Sequence, residues 1–250
     1  MNEQVSTVEP VSTALVDAPV FFDCETHLIK PARTIPPLVC MSVEYDGDVD
    51  LYDKRDAVEV FEAMLDSGRQ IVGHNVAFDL AVMCREQPEL MPRVFDAYEQ
   101  GRIGCTMIRQ KLIDLAEGRY YGFIRLDGKN TKIGYGLDDL CLRLLGFELP
   151  KTEIRLQYEQ LDGVPLDDWP ELARDYAMTD ASVTSEVWHL QQRDKTWRKM
   201  YLHDQYRQCC AAWWIQLMQA WGLRTDPEGV EQFAAELQAE LDEKKGLLFE

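Results

Sequence analysis

Two acidic residues, Asp23 and Glu25, follow the apolar run of residues 20–22 and stand one residue apart. Side chains on a strand alternate between its two faces, so residues at this spacing point to the same side. Two carboxylates placed together at the end of an apolar run repel each other and lose hydration. A divalent cation offsets both effects, which makes the pair a candidate metal site. The alternative is a solvated strand end that leads into a turn.

Two further acids fall on predicted helices. Asp79 lies in the first turn of a helix predicted over 77–85, where a carboxylate also commonly stabilises the helix dipole. Asp180 lies inside a helix predicted over 172–192, and Tyr176 precedes it by one helical turn on the same face. An acid on a partly apolar helix face is unfavourable unless it is paired or bound to a metal ion.

The elements that must position these acids alternate between strands and helices. An apolar run near residue 20, two strands around an Asp46-Gly47 turn, and short strands at 70–74 and 102–105 predict a sheet. Residues 117–135, rich in glycine and basic residues, are interpreted as a loop. The alternation predicts an α/β fold. Apolar residues at helical spacing predict helices over 56–65, 77–85, 106–116, 137–145, 172–192, 206–221 and 227–245.

Composition limits the class of protein. The chain has 250 residues, 46% of them hydrophobic, enough for one sizeable core and the beginning of a second unit. No apolar stretch reaches the length of a membrane span, and residues 1–17 lack a secretory pattern, so we expect a flexible arm there. Seven cysteines without CxxC spacing are typical of core residues in a reducing compartment. We therefore expect a cytoplasmic protein without zinc.

The charge balance limits how the chain could bind nucleic acid. Its net charge is −18, a poor balance for gripping long duplex DNA through the protein surface. Any footprint on nucleic acid should therefore be small. A strand end held through metal ions fits that limit, because bound cations reverse the local field of a carboxylate pocket.

Three segments resemble, in order, the motifs of the DEDD exonucleases of the ribonuclease H-like superfamily. FFDCET is similar to their DxE motif, HNVAFD to their NxxxD motif, and YAMTD to their third motif in its tyrosine form, YxxxD. The histidine form would have His at the position of Asp175. The resemblance implies a ribonuclease H-like mixed sheet flanked by helices, followed by C-terminal helices, and 3′-5′ exonuclease activity.

The same resemblance implies a two-metal site. Asp23, Glu25 and Asp180 would hold the Mg²⁺ or Mn²⁺ ion that activates water, while Asp23 would bridge to a second ion about 3.5 to 4 Å away. Asp79 would act mainly through bound water. Tyr176 and Glu25 would orient the attacking water, a positioning role rather than that of a strong base.

Substrate contacts follow from the resemblance too. Thr26 and Asn75 would lie near the terminal nucleotide, with Leu28 or Ile29 wedged against its base. Ordinary packing is the alternative for Leu28 and Ile29. A second candidate surface is the mixture of aromatic and basic residues in the predicted loop, which could stack bases and meet phosphates of a single strand or could be a mobile loop: Arg119, Tyr120, Tyr121, Phe123, Arg125, Lys129 and Lys132.

Within the superfamily the closest resemblance is to the proofreading domain of family A DNA polymerases. GYGLDDLCLRLLGFELPK is similar to the segment between their second and third motifs, and MQAWGLRTDPEGVEQFAAEL to the start of their polymerase region. The resemblance implies an exonuclease domain over 18–195 and a helical segment over 196–250 that is similar to the start of a thumb. No DYSQIELR-like stretch occurs, so no polymerase active site is expected within this chain.

The C-terminal helices carry apolar residues whose partners the sequence does not identify. Trp213, Trp214 and Trp221 recur at helical intervals and are expected to pack rather than to stack bases. The apolar faces also carry Leu217, Phe233 and Leu237, and part of this surface is expected to pack on the exonuclease core. The remainder should be exposed and prone to self-association.

The function implied is removal of nucleoside monophosphates from single-stranded or frayed DNA 3′ ends. The chain would be the proofreading part of a family A DNA polymerase, with a polymerase domain in cis as a candidate partner and no membrane. A free-standing exonuclease on DNA or RNA is one alternative. A retired module that only binds nucleic acid is another, disfavoured because every metal-ligand position holds an acid.

Overall fold

The computed structural model describes residues 18–31, 33–120, 122–126, 129–149, 156–193, 204–222 and 224–248. Three predictions fall outside these residues: the arm over 1–17, the role of Tyr121, and the domain boundary after residue 195.

A five-stranded mixed sheet lies at the centre of the fold. Its strands are β1 (Val20–Thr26), β2 (Leu38–Tyr45), β3 (Asp48–Asp53), β4 (Ile71–Gly73) and β5 (Ile103–Cys105). Their order across the sheet is β3-β2-β1-β4-β5. The first three strands pair antiparallel, whereas β4 runs parallel to β1 and β5 runs parallel to β4. The predicted turn between β2 and β3 is confirmed, with Asp46 and Gly47 at φ 55° and 95°.

The helices mostly follow the periodicity of the sequence. Helices predicted over 56–65, 106–116 and 172–192 are confirmed within two residues. The helix predicted over 137–145 is one α-helical turn followed by a π-helical turn, Cys141–Leu145, and Gly146 ends it with φ 84°. Within the described ranges the α-helices are α1 (Lys54–Asp66), α2 (Ala77–Glu86), α3 (Met91–Glu99), α4 (Thr106–Ala116), α5 (Leu137–Leu140), α6 (Glu171–Gln192), α7 (Gln205–Trp221) and α8 (Pro227–Leu248).

The prediction of a loop over 117–135 is wrong in part. Within it two short strands, β6 (Phe123–Leu126) and β7 (Lys129–Lys132), pair antiparallel as a separate hairpin. A strand is recognised in a sequence when one face is buried and apolar residues alternate with polar ones. Phe123 and Lys132 face each other across the hairpin and are both exposed, so that signal is missing here. Helix α3 was also not predicted; it is short and follows a 3₁₀ turn, Pro88–Leu90.

Helices cover the sheet on both faces. Phe22 of β1 points into the largest core cluster, where it meets Phe61 of α1 and Leu80 of α2. Phe21 points the other way and packs on Trp188 of α6. Strand alternation therefore directs the acids at 23 and 25 toward α6.

Helix α7 packs on the same core as the sheet. The Trp213 side chain is 1% exposed, stacks on Tyr98 at 5.7 Å between ring centroids, and contacts the edge of Phe95. Trp214 touches Phe95 but is 57% exposed. The packing prediction is confirmed for Trp213 and wrong for Trp221, which is 93% exposed.

Helix α8 leaves its apolar residues in solvent. Phe233 and Leu237 are both exposed, as is every side chain described in this helix. The expectation that part of the C-terminal apolar surface stays uncovered is therefore confirmed. None of the described helices is long and apolar enough to cross a membrane. The seven cysteines are free, and six of them are buried, as predicted for core residues.

We predict that Trp213→Ala lowers the free energy of unfolding by about 3 to 5 kcal/mol, because the substitution opens a cavity in the core. The adjacent Trp214→Ala is the matched control and should lower it by only about 1 kcal/mol. Urea unfolding followed by circular dichroism measures both. Equal losses for the two variants would contradict the packing of α7 described above.

Candidate active site

Strand β1 carries the first two candidate ligands. Asp23 and Glu25 are half-buried and lie on the face that α6 covers, whereas Cys24 between them points into the opposite core cluster. Burial and neighbouring carboxylates raise the pKa of the Cys24 thiol well above its usual range, so it stays protonated. The potential metal ligands of β1 that face α6 are therefore the carboxylate oxygens of Asp23 and Glu25. The pairing of β1 with β2 shifts register after Glu25, which ends the regular strand at the site.

The turn after β4 brings in the third acid. Asn75 adopts a left-handed conformation, φ 60°, and its carbonyl accepts a hydrogen bond from the Phe78 amide as α2 begins. Asn tolerates this backbone better than most residues. The tight turn buries Asp79 to 3% exposure, and its Oδ1 accepts a hydrogen bond from the Cys24 amide at 3.3 Å. This hydrogen bond between a main-chain amide and a carboxylate 55 residues away holds Asp79 against β1.

Helix α6 supplies the fourth acid and the tyrosine. Three fully buried alanines, at 173, 177 and 181, let the helix approach the sheet closely. Asp180 is half-buried beside them, and Tyr176 lies one turn earlier. The Tyr176 ring packs near Tyr158, with ring centroids 6.3 Å apart.

Three of the four acids lie close together. Asp23, Glu25 and Asp180 each place a carboxylate oxygen within 4.8 Å of the other two. Asp79 lies close enough that its charge, like those of the other acids, raises the pKa of Glu25. The structure therefore brings together all four acids that the sequence analysis selected, from β1, α2 and α6.

Burial and mutual repulsion dominate the electrostatics of the site. Burial raises the pKa of Asp23 to about 6. Burial and then the Asp23 carboxylate raise the pKa of Asp180 to about 8. The pKa values of Glu25 and Asp79 are also well above their usual range, first through burial and then through neighbouring acids. Such a set of hard oxygen donors fits a divalent metal ion, which would favour the ionised carboxylates.

The residues proposed to contact substrate lie around this cluster. Leu28 and Ile29 follow β1 and are 39% and 62% exposed, so they do not pack in the core. The Thr26 hydroxyl donates a hydrogen bond to the His27 carbonyl at 2.9 Å. Asn75 adopts the left-handed backbone conformation of the turn before α2. Contact of these four side chains with a nucleotide stays a prediction.

Comparison with known proteins gives the family. The family model of the 3′-5′ exonuclease, DNA_pol_A_exo1, matches residues 3–193, more than half of the chain. The chain belongs to this 3′-5′ exonuclease family. A sequence search of curated proteins finds no match to this exonuclease.

Solved structures with a similar fold include Brucella melitensis NrnC bound to pGG, with a TM-score of 0.53 and 20% identity. A second NrnC structure has a TM-score of 0.54 and 21% identity. In both, the match covers 82% of the exonuclease and 86% of NrnC. A structure described as the apo form of the nuclease has a TM-score of 0.56 and 18% identity, covering 84% and 88% of the two chains. At these identities the likeness supports the fold, and the predicted ribonuclease H-like class is confirmed.

Sequence reasoning missed the segment that supports Tyr176. Residues 156–169 carried no predicted element, yet Tyr158 is fully buried and donates a hydrogen bond from its hydroxyl to the Ala173 carbonyl at 2.7 Å. Its ring also packs on Trp169. His27 ties this segment to the end of β1, with Nε2 2.7 Å from Asp162 and Nδ1 3.3 Å from Glu159. Tyr158 and Trp169, two aromatic residues within a polar stretch, were the sequence signal that could have indicated a buried segment here.

We predict that the metal-free exonuclease loses stability as the pH rises. The folded pKa values of Asp23 and Asp180 are raised from 3.8 to about 6 and about 8. A carboxyl group of this kind stabilises the fold below its unfolded pKa, and that contribution is lost as pH rises through the folded value. In EDTA, Tm should therefore fall by a few degrees between about pH 5 and pH 8.

Magnesium should reduce this fall, and so should Asp180→Asn, which removes one of the repelling charges. Asp48→Asn, an exposed acid at the start of β3, is the control and should leave the pH dependence unchanged. Differential scanning calorimetry at both pH values measures the effect. A Tm in EDTA that rises toward pH 8 would contradict the electrostatics described for the cluster.

Proposed function

We propose that this exonuclease is a free-standing, metal-dependent enzyme that removes nucleoside monophosphates from the 3′ ends of short single-stranded oligonucleotides. The observation that carries the proposal is the convergence of Asp23, Glu25 and Asp180 at the carboxyl end of β1, with oxygens within 4.8 Å of one another. The buried Asp79 completes the set. In a 3′-5′ exonuclease family, this donor set supports hydrolysis of a phosphodiester bond.

In the proposed mechanism Asp23, Glu25 and Asp180 hold Mg²⁺ or Mn²⁺, and Asp79 contributes from the buried side. Two ions held there would supply positive charge to stabilise both the attacking and the leaving oxygen. The water oxygen bonds to phosphorus and loses a proton to solvent, and the bond to the 3′-oxygen of the preceding nucleotide breaks as that oxygen takes up a proton to become a 3′-hydroxyl. The products are a nucleoside monophosphate and a strand one nucleotide shorter.

The phenol of Tyr176 and the carboxylate of Glu25 orient the attacking water by hydrogen bonds. Support for this role comes from the position of Tyr176, one helical turn before Asp180, with its ring braced by the buried Tyr158. We further propose that Thr26 and Asn75 contact the terminal nucleotide. The exposed Leu28 or Ile29 would press against its base.

Two observations favour a free-standing enzyme over a proofreading part. The match covers 86% to 88% of the three similar solved chains, and one of them is described simply as a nuclease. One of the NrnC structures holds pGG, a very short ligand. Proofreading for a family A DNA polymerase is the second candidate, supported by the family match over residues 3–193 and by the likeness of α7 and α8 to the start of a thumb.

Digestion of matched 5′-labelled DNA and RNA oligonucleotides, from two to twenty nucleotides long, tests the proposal. We expect stepwise shortening from the 3′ end with Mg²⁺ or Mn²⁺, none with EDTA, and highest efficiency on short single strands. Primer-templates with matched or mismatched 3′ ends form a second arm. Faster digestion of mismatched ends than of any short single strand would favour proofreading instead, and no digestion at all would refute the activity.

We predict that Asp23→Ala combined with Glu25→Ala abolishes hydrolysis and leaves the fold intact. Without metal the variant should be slightly more stable than the wild type, because two repelling charges are gone. Asp48→Ala on the exposed start of β3 is the matched control and should retain full activity. Wild-type activity in the purified double variant would refute the assignment of the site.

We predict that Tyr176→Phe lowers turnover by about one to three orders of magnitude, the range for losing a positioned hydrogen-bond donor. Metal affinity should change little, since the phenol orients water and is not a proposed ligand. Steady-state kinetics and isothermal titration with Mn²⁺ measure the two quantities separately. A large loss of Mn²⁺ affinity would show that Tyr176 serves the metal site rather than the water.

A further inference from the structure

The β6–β7 hairpin is anchored at the same edge of the sheet as the candidate active site. Strands β1 and β4 run parallel with Phe21 opposite Val72, so Asp23 and His74 come at the same level beyond that pair. The His74 ring contacts the Tyr135 carbonyl through Nε2 at 3.1 Å and the Thr106 hydroxyl through Nδ1 at 2.9 Å. Tyr135 follows β7 closely, so this contact fixes the base of the hairpin beside the site.

Cationic and aromatic groups gather at this base. The Tyr135 ring has Lys111 Nζ 5.7 Å and the Arg143 guanidinium 5.5 Å from its centroid. The Tyr120 ring lies 5.6 Å from that of Tyr135. Arg143 and Arg119 both form ion pairs with the buried Asp114, whose carboxylate neutralises part of their positive charge. The chain as a whole has a net charge of −18, so this cluster of basic side chains is a local exception to its negative charge.

The hairpin presents an aromatic side chain to solvent. Phe123 is 67% exposed, so its ring is accessible to a ligand in solvent. Lys132 is its cross-strand neighbour and is exposed as well. An exposed aromatic face beside an ammonium group is the combination with which proteins bind single-stranded nucleic acid, by base stacking and phosphate contact.

The segment on the other side of the site carries acidic side chains. Beyond the end of β1, Glu159 and Asp162 flank His27, and the Lys30 ammonium lies 3.6 Å from Glu159. Carboxylates repel a phosphate backbone, so a strand whose 3′ end occupies the site is disfavoured there. The path past Tyr135 toward Phe123 offers cations and aromatic faces instead.

We infer that the surface formed by Lys111, Tyr120, Phe123 and Lys132, here called the hairpin surface, binds the nucleotides that precede the terminal one in a single-stranded substrate. Phe123 stacks on a base, and the two lysines contact phosphates. The inference rests on the proposed function, because it concerns the strand whose 3′ end is hydrolysed. It predicts a second determinant of affinity that a dinucleotide is too short to reach.

The test compares a dinucleotide with a heptanucleotide that ends in the same two nucleotides. Phe123→Ala and Lys132→Glu should each raise KM for the heptamer about tenfold, within the range found for removing a stacked aromatic group. Values of kcat and KM for the dinucleotide should stay within about twofold of the wild type. Phe233→Ala and Lys244→Glu, exposed positions of α8, are the matched controls and should change neither substrate.

Salt dependence gives an independent readout. Lys132→Glu should make the heptamer KM less sensitive to ionic strength, because a phosphate contact has been lost. Equal changes for dinucleotide and heptamer, or no change for either, would overturn the inference.

Failure of the proposed function would appear differently, as absence of hydrolysis by the wild type. In that event the inactive Asp23→Ala, Glu25→Ala protein still allows heptamer binding to be measured by fluorescence anisotropy. Weaker binding after Phe123→Ala in that background would uphold the hairpin surface, and unchanged binding would overturn it.

Discussion

Mutual repulsion among four carboxylates is the constraint around which the rest of this structure is organised. Asp23, Glu25, Asp79 and Asp180 come from β1, α2 and α6, and burial raises their pKa values further. Such a cluster opposes folding in the absence of cations. It persists because apolar contacts elsewhere hold the three elements in place, with Phe22 and Leu80 on one face of the sheet and Phe21 with Trp188 on the other.

Several contacts near the site hold the acid-bearing elements together against this repulsion. Alanines at 173, 177 and 181 bring α6 close to the sheet, and the buried Tyr158 fixes the first turn of that helix through the Ala173 carbonyl. His27 joins the segment of Tyr158 to the end of β1. Each contact limits how far the acids can separate, so protonation or bound cations, rather than movement, must relieve the repulsion.

The distribution of charge connects this site to its substrate. A net charge of −18 repels nucleic acid in general, so attraction must be local. The carboxylate cluster would become attractive with metal ions bound, and the proposed hairpin surface has its own lysines and an exposed aromatic ring. Both lie at one edge of the sheet. This arrangement suits the end of a single strand better than a long duplex, in agreement with a 3′-5′ exonuclease family.

The sequence by itself determined the α/β class, most helices and the four candidate acids, because these depend on periodicity and on short motifs within one element. It did not determine the hairpin, the exposure of Trp221 or the role of Tyr158 as a support for Tyr176. Contacts such as that of the Cys24 amide with Asp79, 55 residues apart, arise only when the core assembles. Periodicity in the sequence indicates on which face of a strand or helix a residue lies. The tertiary structure decides which distant residues pack against that face.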